Sequence, residues 1–284
     1  MANAMNMDGK LETTRPIYIL DRMNEPYAAD PLYAFALDEL LCRQTGTGGP
    51  AVCHLWRHPS AFIMGLRDSR LPCAPQAKER LEAEGWSVAV RNSGGAAVPL
   101  DSGVVNVSLI LPKNGSAGEH FHGDFERMYR LIADALAATG RRIDKGEIAG
   151  SYCPGDYDLS IGGFKFCGIA QRRQLNAYIV QAFVIVEGDG RQRAETVRSF
   201  YRIAADGAEP GQYPIVRDDK MASLEQLADL MPGSAVPFAN EVKEVVRRSQ
   251  SPEADEAAAA AFRMPEEERI RELAESLRHR YEIK

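Results

Sequence analysis

The chain has 284 residues, of which 45% are hydrophobic and 26% are charged, as is ordinary for a globular protein. Its formal net charge of −6 argues against a general nucleic-acid-binding protein, because such proteins present basic surfaces to phosphate. Its longest apolar runs, such as AYIVQAFVIV, are about ten residues long, too short to span a bilayer, so no membrane association is predicted.

The N-terminal half alternates strand and helix patterns. Residues 1–14 lack the basic start and apolar core of a signal peptide and are predicted to be a flexible lead-in. Asp30 is a candidate N-cap, and Pro31 suits the first position of the helix that follows. In chain order the pattern predicts a strand at RPIYILDR, a helix at DPLYAFALDELLCRQ, strands at AVCHLW and SAFIMG, a helix at PQAKERLEAEG ended by Gly85, a strand at WSVAVR, a Gly-rich loop at NSGGAAVPLDSG and a strand at VVNVSLILP.

The C-terminal half adds a hairpin and then turns helical. A helix is predicted over residues 120–139, followed by the arms YDLSI and FKFCGIAQ around a Gly-Gly turn and by the strand NAYIVQAFVIV. Helices are predicted over 191–202, 223–230 and 236–248, with a final pair within 252–282. We therefore predict an α/β (α+β) fold, a mixed β-sheet flanked by helices. No linker is evident, which favours a single domain over residues 15–284 with a helical part from about 221 to 284.

The Gly-rich loop RNSGGAAVPLDSG lies between two strands. Dinucleotide-binding and Walker A motifs both require a helix after their glycines, so neither is predicted. Gly94 and Gly95 allow the backbone to approach a ligand closely and to adopt a positive φ. Arg91, at the end of the preceding strand, can direct a positive charge at the same ligand. The alternative is a tight connection between strands with a surface arginine.

Cys153, in the segment GSYCPGDYDLSI, has three interpretations: a buried packing residue, one ligand of a metal site or a nucleophile. It lies in a predicted loop, and loops carry chemistry more often than packing. Lys165 lies across the predicted turn, where a hairpin can bring its ammonium near the thiol. A cation at about 4–6 Å stabilises a thiolate, which is the reactive form of cysteine. Cys167, two residues beyond Lys165 and predicted to share its strand face, is interpreted as a small core residue.

The other cysteines and the histidines give weaker signals. The five cysteines stand at positions 42, 53, 73, 153 and 167, without a CxxC pair, which predicts a reduced, cytoplasmic protein. His120 and His122 precede a helix and are interpreted as surface residues, and Cys53 and His54 are predicted to face opposite sides of a strand. No metal site is predicted, and nothing in the spacing supports a Cys–His dyad.

Two longer segments, VRNSGGAAVPLDSGVVNVSL and GSYCPGDYDLSIGGFKFCGIAQRR, resemble the lipoate–biotin protein ligase superfamily. The similarity also covers FALDELL, LWRHPSAFIMGLRDSRLP and RQRAETVRSFY, and so most of residues 30–200. It is greatest to the amidotransferase branch, the octanoyl-[glycine cleavage system H protein]:protein octanoyltransferases of Gram-positive bacteria. The resemblance implies a biotin/lipoate ligase-like catalytic domain.

The loop departs from the ligase pattern of that superfamily at three positions. Val90 replaces the first arginine of the ligase motif, Ala96 its third glycine and Leu100 its histidine. These departures argue against ATP-dependent lipoate activation, and the resemblance therefore implies no nucleotide and no metal cofactor. It places the nucleophile at Cys153 and the lysine that activates it at Lys165. We predict substrate contacts for loop and strand residues of the two segments, namely Arg91, Ser93, Gly94, Gly95, Asp101, Asn106, Gly168 and Gln171.

The resemblance also implies a reaction and its partners. An octanoyl group passes from an octanoyl-lysine of the glycine cleavage system H protein to Cys153, forming a thioester. A lysine on the lipoyl domain of a 2-oxo acid dehydrogenase E2 subunit then accepts the acyl group. Residues 141–173 contain six basic and four acidic residues, and we hypothesise that Arg172 and Arg173 steer the acidic lipoyl domain; the alternative is a solvated strand end.

Two other functions remain open at this point. One uses the same cysteine but takes the octanoyl group from octanoyl-acyl-carrier protein; the branch with that donor keeps the ligase-like histidine, which this loop lacks. The other is a non-catalytic protein that binds lipoyl domains and does not need Cys153.

Overall fold

The strands of the protein form two separate β-sheets. The computed structural model describes residues 13–25, 30–113, 121–217 and 219–283. Seven strands form the larger sheet in the order β1-β2-β6-β10-β9-β8-β7, and three form the smaller sheet in the order β4-β3-β5. The strands are β1 Ile17–Arg22, β2 Ala51–Trp56, β3 Ser60–Met64, β4 Ser87–Val90, β5 Val98–Asp101, β6 Val104–Pro112, β7 Asp144–Lys145, β8 Leu159–Ile161, β9 Phe164–Arg173 and β10 Ala177–Ile185.

Both sheets are mixed, where the sequence predicts one mixed sheet. In the larger sheet β1 and β2 are parallel, and the pairs of β2 with β6, β6 with β10 and β10 with β9 are antiparallel. In the smaller sheet β3 is parallel to β4 and antiparallel to β5. Every residue of β6 is buried, which fits a central strand covered on both faces. Alternate residues of the central strands therefore belong to two hydrophobic clusters, one on each face of the large sheet.

Helices cover both faces of this sheet. The first helix packs on β6 and β10 and is itself covered by the last helix, while the third and sixth pack against each other over the opposite face. The helical C-terminal part therefore completes both hydrophobic clusters. The helices are α1 Leu32–Gly46, α2 Ala74–Ala83, α3 Phe121–Ala135, α4 Gly190–Ala204, α5 Leu224–Leu227, α6 Ala235–Arg248, α7 Pro252–Ala261 and α8 Glu267–Arg280.

Four details of the predicted elements are wrong. The predicted Gly-rich loop contains β5, whose Pro99 and flanking turn residues hid the strand pattern, and the short strand β7 was also missed. The helix predicted over 223–230 is only one turn long. Helix α1 begins after Pro31, although the Asp30 carboxylate still accepts a hydrogen bond from the Leu32 N–H at 2.9 Å.

Two further expectations concern the ends and the surface of the chain. The flexible lead-in predicted for residues 1–14 lies almost wholly outside the described residues, which begin at Thr13. Across the described ranges, no helix has both the length and the apolar character needed to cross a bilayer.

Candidate active site

Cys153 lies in the loop between β7 and β8 and has an unusual backbone conformation. Its φ of +47° falls in the left-handed region that residues other than glycine rarely adopt. Its side chain is largely buried, with the residue 8% exposed. Such a conformation persists only where surrounding contacts hold it, and such residues cluster at functional sites.

The ammonium of Lys165 holds this backbone in place. Lys165 is fully buried on β9, and its Nζ donates hydrogen bonds to the carbonyl oxygens of Tyr152 and Cys153 at 2.9 and 2.7 Å. Its third contact is an ion pair with Asp158 Oδ1 at 2.8 Å. An ammonium has three N–H donors, so these three acceptors occupy all of them.

Asp158 completes the support of the loop. Its Oδ2 accepts a hydrogen bond from the Gly155 N–H at 3.2 Å, so the carboxylate fixes both the loop and Lys165. Burial raises the pKa of Asp158, and the positive charge of Lys165 opposes this rise.

The position of Lys165 agrees only in part with the expectation from the sequence. The hairpin does bring Lys165 to Cys153, but Nζ donates to the carbonyl oxygen of the cysteine, and no hydrogen bond among the described residues joins Nζ to Sγ. The prediction that Lys165 and Cys167 share a strand face is wrong. The pairing of β8 with β9 changes register at Leu159 and Ser160, and Nζ lies 5.6 Å from the Phe183 ring, on the opposite side of the sheet from the cluster that contains Cys167.

Two donors contact the sulfur of Cys153. The Arg91 guanidinium donates from Nη2 to Sγ at 3.2 Å, and the backbone N–H of Ala96 donates to Sγ at the same distance. Arg91 is buried, and its Nη2 also donates to the carbonyl oxygen of Ala96 at 2.6 Å. A cation and a backbone N–H are the groups that stabilise negative charge on sulfur.

Gly95 makes this approach possible. Its φ is +103°, and a Cβ at this position would lie 2.2 Å from Arg91 Nη2 and 2.9 Å from Cys153 Sγ. A side chain at Gly95 would therefore displace either the guanidinium or the thiol. The close approach to a ligand expected at Gly94 and Gly95 stays a prediction; at Gly95 the protein's own guanidinium and sulfur take this place, and a Cβ at Gly94 would meet no atom of the described residues within 4 Å.

A buried network fixes the loop from behind. The Tyr201 hydroxyl donates to Asp68 Oδ1 at 2.8 Å and accepts from the Ala97 N–H at 3.3 Å. Asp68 Oδ2 accepts from the Gly65 N–H at 2.8 Å. Burial raises the pKa of Asp68, and the Gly65 and Tyr201 hydrogen bonds oppose this rise.

Among the described residues, no hydrogen-bond donor contacts the sulfur of the other cysteines. Burial raises the pKa of Cys42 and of Cys53 to about 12, and it raises the pKa of Cys167 still further. Cys167 is fully buried in a hydrophobic cluster, as expected for a core residue. Cys73 is half-buried, with its sulfur 3.7 Å from the carbonyl oxygen of Asp206.

The histidines considered for a dyad or a metal site lie elsewhere. His54 Nδ1 is 2.8 Å from the buried carboxylate of Asp38, and Cys53 packs in the cluster on the opposite face. The side chains of His120 and His122 are outside the described part of the chain.

A cavity of about 290 Å³ opens beside the thiol. Such a volume is near the lower end of the range for small-molecule sites, about 300–1,000 Å³. The exposed residues Pro154 and Asp156 mark its mouth, next to Cys153. Its inner wall is apolar and is formed by Phe35, Trp56, Ile63, Val98, Leu100 and Phe183.

Most of the predicted substrate-binding residues line this cavity. They are Arg91, Gly94, Gly95, Asn106, Gly168 and Gln171. Gly168 is packed so closely on Phe183 that a Cβ would lie 2.5 Å from the ring. The Gln171 amide donates to Asp124 at 2.7 Å, and its Oε1 has no hydrogen-bond partner within the described residues.

Two predicted substrate-binding residues are placed differently. The Asp101 carboxylate forms a two-point ion pair with Arg193 at 2.6 and 2.7 Å and is not among the residues of the cavity wall. Ser93 is also absent from the wall, although it is buried and its hydroxyl has no partner among the described residues. For Asp101 the structure therefore indicates a role in holding β5 to α4.

Several residues of the site were not predicted from the sequence, among them the apolar cavity wall, the Tyr201–Asp68 network and four residues close to Cys153 or on the cavity wall. Asp158 could have been found, because an acidic and a basic residue stand on the two arms of the predicted hairpin. Ala96 acts through its backbone, which leaves no signal in the residue type. Ser108 and Gln181 line the cavity from neighbouring strands, with Ser108 Oγ and Gln181 Nε2 donating to Asp38 Oδ2 at 2.6 and 2.9 Å.

The steering hypothesis for Arg172 and Arg173 receives no support from their contacts. Arg172 forms an ion pair with the buried carboxylate of Glu39 and also donates to the carbonyl oxygen of Asn92. Arg173 forms an ion pair with the buried carboxylate of Asp124 at 3.0 Å. Both positive charges are thus balanced locally, which weakens any field that they project toward a partner.

Residues 30–249 match the model of the lipoyl protein ligase A/B catalytic domain. Curated relatives carry related names. An octanoyl-[GcvH]:protein N-octanoyltransferase of Geobacillus kaustophilus is 45% identical over 213 residues, 74% of each chain. A lipoyl-[GcvH]:protein N-lipoyltransferase of Listeria monocytogenes is 37% identical over 225 residues, 78% of this chain and 81% of the relative.

Solved structures share the fold. A lipoate-protein ligase A with bound ATP aligns with a TM-score of 0.62 at 18% identity, covering 95% of this chain and 96% of the other. A lipoate protein ligase from T. acidophilum with bound lipoic acid aligns with a TM-score of 0.60 at 18% identity, over 94% and 96% of the two chains. At this level of identity, the similarity bears on the fold alone.

Proposed function

The chain belongs to the lipoyl protein ligase A/B catalytic-domain family, and we propose that it moves an octanoyl group between two proteins through a thioester on Cys153. Octanoyl transfer in protein lipoylation is the activity that its relatives carry in their names, and the chain is an acyltransferase of that kind. The H protein, GcvH in those names, is its donor.

One observation carries the assignment of the nucleophile. Cys153 Sγ lies at the wall of the cavity with a guanidinium and a backbone N–H at 3.2 Å, whereas burial raises the pKa of Cys42, Cys53 and Cys167. A cation and an N–H donor at a sulfur are the groups that stabilise a thiolate, the form of cysteine that attacks a carbonyl.

The cavity supports an acyl chain as the group that is transferred. Its apolar inner wall provides no charged partner for a polar ligand but buries methylene groups favourably, at about 0.8 kcal/mol for each CH₂. An octanoyl chain that enters past Pro154 would place its carbonyl carbon at the mouth, beside Sγ.

The reaction then proceeds in two exchanges. The thiolate attacks the carbonyl carbon of octanoyl-lysine, the C–S bond forms, and the C–N bond breaks as the lysine nitrogen leaves with a proton from solvent. A lysine amine of the acceptor attacks the thioester, the C–N bond forms, the C–S bond breaks, and the amine proton passes to solvent. The starting and final bonds are both lysine amides, so the exchange needs no nucleotide to drive it, and the proposed steps use no metal.

Lipoyl domains of 2-oxo acid dehydrogenase E2 subunits are the proposed acceptors, and the cytoplasm is the proposed location. This reaction is favoured over the two alternatives. The relatives at 37–45% identity name the H protein and not acyl-carrier protein, and a protein that only bound lipoyl domains would need no donors on a buried thiol.

Intact-mass spectrometry tests the donor directly. The protein is incubated with octanoyl-H protein or with octanoyl-acyl-carrier protein, without nucleotide and with a metal chelator. We expect an adduct of one octanoyl group from octanoyl-H protein alone, because the names of the relatives give the H protein and not acyl-carrier protein. An adduct from the carrier protein alone would establish the alternative donor, and no adduct from either would contradict a covalent mechanism.

A further inference from the structure

The two groups that contact Cys153 Sγ form one rigid unit. Arg91 Nη2 donates both to Sγ at 3.2 Å and to the carbonyl oxygen of Ala96 at 2.6 Å, while the N–H of Ala96 donates to Sγ. The N–H of Arg91 donates to the carbonyl oxygen of Met64 at 3.0 Å, which fixes this residue at the end of β4. The guanidinium is buried, so its charge acts on the sulfur with little screening by water.

We propose that Arg91 and the Ala96 N–H are the anion-stabilising pair of the reaction, and that Lys165 is a positioning residue for the nucleophile. The pair first stabilises the thiolate of Cys153 and then the oxyanion of the tetrahedral intermediate. This inference rests on the proposed thioester mechanism and assigns the charge stabilisation within it.

The geometry allows one pair of donors to serve both anions. When Sγ attacks the carbonyl carbon, the C–S bond forms and the π electron pair of the carbonyl moves to its oxygen. The sulfur loses its negative charge, and the charge reappears on an oxygen attached to the carbon that sulfur has just bonded. Donors placed on Sγ before the attack therefore face the new oxyanion after small shifts, which is the arrangement of an oxyanion hole.

Lys165 has no donor left for either anion. Its three N–H groups are used by the carbonyl oxygens of Tyr152 and Cys153 and by Asp158. The charge of Lys165 is paired with the Asp158 carboxylate at 2.8 Å. The hydrogen bonds described for the Arg91 guanidinium go instead to the Ala96 carbonyl oxygen and to Sγ, and the Asp68 carboxylate acts on it only as a nearby charge. Lys165 therefore fixes the direction of the thiol through the backbone, and Arg91 supplies the charge.

The test uses Arg91→Gln and Arg91→Lys with two readouts, alkylation of Cys153 by iodoacetamide and formation of the octanoyl adduct. At pH 7, Arg91→Gln should slow alkylation about 10- to 100-fold, the effect of losing a charge-assisted hydrogen bond. At about pH 10 a thiol ionises without help, so alkylation of the variant should approach the wild-type rate. Adduct formation should stay about 100-fold slower at both pH values, because the oxyanion is left with the Ala96 N–H and without the guanidinium.

Arg91→Lys keeps a cation and should recover part of the alkylation rate at pH 7. An unchanged alkylation rate and pH profile in Arg91→Gln would overturn the role on the thiolate, and full recovery of adduct formation at pH 10 would overturn the role on the oxyanion. If Arg91→Gln unfolds, ethylguanidinium added to Arg91→Ala should restore alkylation severalfold, and failure of this rescue in a folded variant would overturn the proposal.

A matched control separates the effect of losing the Arg91 charge from the effect of losing any buried arginine. Arg193→Gln removes a guanidinium that pairs with Asp101, outside the cavity wall, and should leave the alkylation pH profile unchanged. Failure of the proposed function is distinguishable from failure of this inference. Absence of an octanoyl adduct on the wild-type protein would contradict the proposed function, whereas the alkylation rates test the role of Arg91 on the thiolate without any octanoyl donor.

Discussion

Cys153→Ser abolishes the octanoyl adduct and lowers transfer to the lipoyl domain by about 10³-fold or more, if the thiol is the nucleophile. A serine hydroxyl in the same place is not ionised by the Arg91 guanidinium and the Ala96 N–H, which lie 3.2 Å from the sulfur. The measurement is the mass of both protein substrates and of the enzyme during turnover, with octanoyl-H protein as donor.

Cys167→Ala is the matched control for this change. Cys167 is a second buried cysteine on the strand that carries Lys165, but it packs in a hydrophobic cluster and its pKa is raised by burial. The variant should keep the adduct and lose only about 1 kcal/mol of stability. Transfer at the wild-type rate by Cys153→Ser, or loss of the adduct in Cys167→Ala with the fold intact, would contradict the assignment.

The second large effect is expected from the buried ion pair. Lys165→Met should lower the free energy of unfolding by about 3–5 kcal/mol, because it leaves the Asp158 carboxylate buried without its cation. It also removes the donor from the carbonyl oxygens of Tyr152 and Cys153. Urea denaturation measures the change, which is a large part of a typical total of about 5–15 kcal/mol.

A double variant separates charge from packing. Lys165→Met combined with Asp158→Asn removes both charges and keeps an oxygen that can accept from the Gly155 N–H. We expect it to be more stable than Lys165→Met alone by about 1–3 kcal/mol. Its octanoyl transfer should stay low, since the hydrogen bond that holds the carbonyl oxygen of Cys153, a residue with a φ of +47°, is still missing.

Lys145→Met is the control, because Lys145 forms an exposed ion pair with Glu126 and should change stability by about 0–1 kcal/mol. A loss of under 1 kcal/mol in Lys165→Met would contradict the positioning role, as would wild-type transfer by the double variant.

The parts of the fold that follow from local pattern could be predicted from the sequence. The alternation in β6 and β10, the Gly-Gly turn before β9 and the Gly85 end of α2 are such features, and they yield a mixed sheet with flanking helices. The division into two sheets could not be predicted, because it depends on pairing between distant strands. β5 was missed because its Pro99 and neighbouring turn residues resemble a loop.

The same distinction applies to the candidate site. Cys153, Lys165 and the Gly-rich loop stand out in the sequence, and the structure brings them together. The sequence does not show that the Arg91 guanidinium contacts the sulfur of Cys153 while the Lys165 ammonium contacts its carbonyl oxygen. Arg91 and Cys153 are 62 positions apart, and their contact depends on the smaller sheet. A register shift at Ser160 turns Lys165 toward the carbonyl of Cys153, and no residue type signals such an irregularity.

The thioester itself is tested most directly by isolating the octanoylated enzyme and mixing it with an unmodified lipoyl domain. We predict that one octanoyl group leaves Cys153 and appears on the lipoyl-domain lysine in a single turnover, at least as fast as the overall reaction. Slower transfer than the steady-state rate, or hydrolysis in place of transfer, would show that an acyl group on Cys153 is not an intermediate.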